Sequence, residues 1–122
     1  MSVVDTNQID IVSIDEVSAS LVISDHLEWD GHTDDDHNYH LQEKINTYLR
    51  FYESGELYRK FPKAKGTSVR IEIVFQYKPN KSFEWFYDQI RPIVESAGLS
   101  LNAIVHGQPD AIAIGNGIQF ES

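Results

Sequence analysis

The chain has 122 residues, no cysteine and a formal net charge of −9. Without cysteine there is no disulfide, iron-sulfur cluster, thiolate zinc site or cysteine nucleophile, and the composition fits a reducing compartment. The opening MSVVDTNQID has neither a basic nor an apolar leader region, and nowhere do 18 apolar residues run together, so a soluble, cytoplasmic protein is expected, with no signal peptide and no membrane span.

Length alone suits a single domain over residues 1–122 that buries about two thirds of its unfolded surface. In chain order, Ile9, Ile11 and Ile14 alternate with polar residues, DEVS interrupts, and Ser20 to Ser24 resumes the apolar pattern, which predicts a β-hairpin. DHLEWDGHTDDD is a polar connector. From Asp36 to about Ser54, Leu41, Ile45, Tyr48, Leu49 and Tyr52 fall on one helical stripe, with Glu43, Asn46, Thr47, Arg50 and Glu53 opposite. Asp34, Asp35 and Asp36 stand at the start of this helix, where they cap unpaired N–H groups and meet the positive end of the dipole. Gly55 ends the helix. GELYRKFP adds a turn before Pro62, and KAKGT is a loop.

Ser68 to Tyr77 is the cleanest strand, with Val69, Ile71, Ile73, Phe75 and Tyr77 on one side and mostly polar residues on the other. A strand covered on both faces would be apolar throughout, so helices on one face only are expected. Ser82 is the expected N-cap of a second helix reaching Ala97 and closed by Gly98, with Phe83, Phe86, Tyr87, Ile90, Ile93, Val94 and Ala97 as its stripe and Pro92 facing water. Leu99 to Val105 alternates as another strand, and AIAIGNGIQF suggests a short last hairpin about Gly115 and Gly117. The order is ββαβαβ, an α+β two-layer sandwich with two helices on one face of a mixed sheet.

The segments IDIVSID, LVISDHLEW, LQEKINTYLRFYESGELY and the strand after FPKAKG resemble a bacterial family, domain of unknown function family 6572, over about residues 5 to 100. The resemblance implies a small bacterial cytoplasmic domain and no catalytic or binding residue. The segment DGHTDDDHNYH departs from the family's form, so a site placed there is private to this chain.

That segment is nevertheless the densest in chemistry. His32, Asp34, Asp36, His37 and His40 are candidate metal ligands, since His37 and His40 stand three apart on a helix and the acids complete a nitrogen and oxygen shell. The spacing matches no HExxH motif and no calcium loop, and the competing account is an acidic helix start with solvated histidines. No GxSxG elbow or phosphate-binding glycine loop is present, and no cofactor is implied. Arg59 to Lys81 carries seven basic residues and one acid, but its aromatics fall on core positions and the whole chain is acidic, so no nucleic-acid partner is expected.

Charge is unevenly spread. Residues 1–43 hold eleven acids and no Lys or Arg, while residues 44–122 hold ten basic residues against eight acids. Tyr39 projects from the polar side of the first helix, Trp85 lies about 150° from the second helix's apolar stripe, and Trp29 sits in the acid-rich connector. Exposed aromatics beside charge are the composition of interface anchors. Asp30, Asp34, Asp35, Asp36, Trp29, Tyr39 and Trp85 are therefore the expected partner-binding residues of a non-enzymatic module, an immunity- or antitoxin-like inhibitor of a basic protein. The alternatives are a metal-binding protein or metal-dependent enzyme on the same acids and histidines, and a homodimer through the sheet's wet face or an edge strand.

Overall fold

A computed structural model of the chain describes residues 11–105. The elements are β1 (Ile11–Ile14), β2 (Ser18–Asp25), α1 (Asp34–Glu53), α2 (Glu56–Lys60), a 3-10 turn (Pro62–Ala64), β3 (Ser68–Phe75), α3 (Lys81–Ser96) and β4 (Ser100–Val105). The expected ββαβαβ order holds, with α2 as the turn read in GELYRKFP. Ile9 and the hairpin expected about Gly115 and Gly117 lie outside the described residues.

Strand order in the sheet is β1-β2-β3-β4, with β1 antiparallel to β2 and the other pairs parallel. The hairpin is tight because the Asp15 carboxylate accepts the backbone N–H groups of Val17 and Ser18, each at 2.8 Å, and the Ser18 hydroxyl. These donors stabilise the charged form and hold the Asp15 carboxyl below its usual value. Parallel neighbours need a crossover, and α1 with α2 carries the chain from β2 to β3 as α3 does from β3 to β4.

Register aligns the apolar positions into rows: Leu21, Ile71 and Leu101, then Ile23, Ile73 and Ala103, all buried. The helices cover this face. Leu41, Ile45, Tyr48 and Leu49 of α1 and Phe83, Phe86, Tyr87, Ile90 and Val94 of α3 join the same core. Each large apolar side chain so buried stabilises by roughly 1.5 to 3 kcal/mol. The Tyr48 hydroxyl donates to the Val22 carbonyl at 2.7 Å and the Tyr87 hydroxyl to the Leu101 carbonyl at 2.8 Å, pinning each helix to a strand. Burial raises the Tyr87 hydroxyl's pKa. The opposite sheet face is wetter, with Arg70 donating to Ser20 Oγ at 2.7 Å. Among the described residues, no helix is long and apolar enough to cross a membrane.

Several details differ from the sequence expectation. α1 begins at Asp34 rather than Asp36, and it buries His37, Lys44 and Phe51 besides Leu41, Ile45, Tyr48 and Leu49, while Tyr52 of the expected stripe is only partly buried. β3 ends at Phe75, so Tyr77 lies beyond the strand, 44% exposed. Ile93 is 56% exposed; it stands about 80° from the centre of the α3 stripe, at its outer edge. Ser82 is not the cap of α3. Asn80 is, its side chain accepting the Ser82 N–H at 3.0 Å, which leaves Ser82 inside the first turn. Gly98 after α3 has φ +98°, a left-handed value that favours glycine at a helix end, as expected.

Candidate functional site

The acid-rich connector is folded by its own first aspartate. Asp30 accepts the backbone N–H groups of His32 at 2.7 Å and Thr33 at 2.8 Å, and the Thr33 hydroxyl bonds both of its oxygens. These donors pull the Asp30 carboxyl down to about 2, so it is charged throughout the physiological range. Thr33 occupies the N-cap position of α1 without a side-chain capping bond, its hydroxyl being committed to Asp30. The expected side-chain capping by Asp34, Asp35 and Asp36 is therefore absent; they stand in the first turn, where their charge still meets the dipole.

Three consecutive helical residues point about 100° apart, so the three aspartates have different surroundings. Asp34 accepts the Asn80 side-chain amide at 2.7 Å and the Gly31 N–H at 3.3 Å. Since Asn80 also caps α3, one asparagine joins the starts of both helices. Asp35 is exposed on the side facing α3. Asp36 is exposed on the other side, at a shallow depression of about 530 Å³ shared with Asp30, His26, His37, His40 and Tyr77. Among the described residues, no lysine or arginine pairs with Asp30, Asp34, Asp35 or Asp36.

Between α1 and α3 runs an open groove of about 450 Å³. It is lined by Asp35, Asn38, Tyr39 and Gln42 of α1 and by Ser82, Trp85 and Phe86 of α3. Asn38 ties the two helices together, donating to the Ser82 carbonyl at 3.3 Å and its hydroxyl at 3.0 Å. Tyr39 is 58% and Trp85 67% exposed. The structure thus brings Asp35, Tyr39 and Trp85 together on one groove.

Trp29 is not with them. Its ring lies 3.7 Å from that of His37 at 18°, with the Phe75 and Phe83 rings 6.0 and 5.7 Å away and steeply inclined to it. His37 is buried, and its Nε2 meets Asp25 Oδ2 at 2.5 Å, while Asp25 Oδ1 accepts the Leu27 N–H at 3.0 Å. Asp25 escaped the sequence reading. The signal for it was present, because Asp25 continues the core-facing series Ala19, Leu21, Ile23 at period two, and His37 precedes Leu41 by one helical turn. A carboxylate holding an imidazole is half of a base-activated nucleophile. Among the described residues, no serine or threonine hydroxyl completes it, since His37 Nδ1 is buried without a partner there, as is Trp29 Nε1. The pair instead joins the end of β2 to the first turn of α1.

The metal candidates are dispersed accordingly. His32 is exposed on the connector, Asp34 is engaged by Asn80, His37 by Asp25, and Asp36 and His40 border the second depression. Among the described residues, no three His, Asp or Glu side chains come together as one ion would require.

No curated protein and no solved structure matches the chain. A family profile does, over residues 1–107, which includes every described strand and helix. The chain therefore belongs to the family of unknown function DUF6572.

Proposed function

We propose that this protein is a non-enzymatic binding module, immunity- or antitoxin-like, which covers a basic surface of another bacterial cytoplasmic protein with the electronegative start of α1. One observation carries the reading. Asp35 and Asp36 are exposed, Asp30 is held ionised by backbone donors, and no lysine or arginine among the described residues neutralises them, while Tyr39 and Trp85 stand exposed beside Asp35. Unpaired charge next to large, rigid aromatic area is what an interface of fast, charge-steered association needs.

Capture from a lysate of the source organism on immobilised protein tests it. A basic partner retained at low salt is expected, with retention falling as ionic strength rises and abolished by the combined Asp34→Lys, Asp35→Lys and Asp36→Lys variant. Retention of every captured protein by that folded triple variant sinks the reading.

A further inference from the structure

We propose that the groove between α1 and α3 seats an arginine side chain of the basic partner, a refinement that rests on the binding-module reading. The groove's chemistry is one-sided. Asp35 offers a carboxylate that only accepts. The Asn38 amide is oriented by the Ser82 carbonyl, which also can only accept, so the nitrogen faces Ser82 and, among the described residues, no donor meets the buried Oδ1. Tyr39 and Trp85 are exposed rings whose faces carry the negative end of the aromatic quadrupole. Among the described residues, no lysine, arginine or histidine lines the groove.

Acceptors and ring faces without a cation select a cationic donor, and the unneutralised aspartates beside them repel an anionic one. Arginine suits this geometry better than lysine. Its flat guanidinium stacks on an indole or phenol while its edge directs N–H groups to a carboxylate, whereas an ammonium is a strongly hydrated point charge.

The two tryptophans supply the test. The ¹⁵N-labelled protein is titrated with a capped five-residue peptide carrying two arginines in a glycine background, and with its lysine counterpart. The Trp85 indole N–H is expected to shift saturably with the arginine peptide while the Trp29 indole, packed on His37, stays in place. The lysine peptide is expected to bind about threefold more weakly or worse. Followed on the Tyr39 amide, Trp85→Ala and Asp35→Asn are each expected to weaken the arginine peptide by roughly fivefold; both positions are exposed, so the fold survives. No saturable shift at Trp85, an equal response to lysine, or unchanged affinity in both variants overturns the proposal. So do concentration-dependent shifts without peptide, which assign the groove to a second copy of the chain. An unmoved Trp85 alongside a charge-reversed triple variant that still loses its lysate partner defeats only the arginine seat; a triple variant that keeps its partner defeats the module reading itself.

Discussion

Asp25 occupies the last core-facing place on β2, where the pattern of the strand would lead to another apolar side chain. It is tolerated there because both oxygens are satisfied, one by the Leu27 N–H and one by His37. Removing one partner of a buried pair leaves the other without compensation, which costs more than the pair itself contributes. Asp25→Ala is accordingly expected to destabilise the protein by about 3 kcal/mol or more, measured as a lower urea midpoint at unchanged slope. A loss below about 1 kcal/mol would mean that the ring stack on Trp29, and not the carboxylate, holds His37. The sequence presents His37 as a candidate ligand or a solvated histidine at the helix start, and its burial corrects the solvated account. Its partner was not legible, because DHLEWDGHTDDD reads as uniformly polar and hides the one acid that belongs to the strand before it.

At the scale of elements, the contact between α1 and α3 depends on two asparagines. Asn80 caps α3 and reaches back to Asp34; Asn38 reaches across to Ser82. Asn80→Ala removes the cap and the interhelical bond together, with an expected cost of about 1 to 2 kcal/mol. Asn80→Ser should recover the capping part only, since serine caps as well but is too short for Asp34. Chemical denaturation of the two variants separates the contributions, and equal stability of both with the wild type would refute the clamp. Helix lengths and the strand faces were readable from period 3.6 and period two. The cap was misplaced by two residues, as Ser82 and Asn80 are equally acceptable cap residues by type, and only the backbone turn after Pro79 decides which one precedes the helix. Ile93 shows the same limit: its place at the stripe's edge is visible, but whether an edge position is covered depends on the neighbour.

For the whole molecule, two aspartates of the first third make stability depend on pH. Asp30 has its carboxyl lowered from 3.8 to about 2 in the folded state, and Asp15 is lowered as well, both by backbone N–H donors that exist only when the connector and the hairpin are folded. A carboxylate whose folded value is depressed adds stability that is complete above its unfolded value and is lost as pH falls through the folded one. Stability should therefore decline between about pH 4 and pH 2, and Asp30→Asn should flatten that decline. A ¹³C titration of the Asp30 carboxyl with a midpoint near the ordinary value would contradict the connector geometry.

The sequence by itself determined the family, the ββαβαβ order, the one-sided covering of the sheet and the concentration of acid ahead of the long helix, because these depend on local periodicity, composition and charge counted along the chain. Tertiary structure alone decided the β1-β2-β3-β4 strand order, the stacking of Trp29 on His37, the pairing of His37 with Asp25, and the meeting of Tyr39, Asp35 and Trp85 on one groove. Each of these joins residues that are far apart in the chain or differ in sidedness, and no periodicity within one segment can say which surface of another it will face.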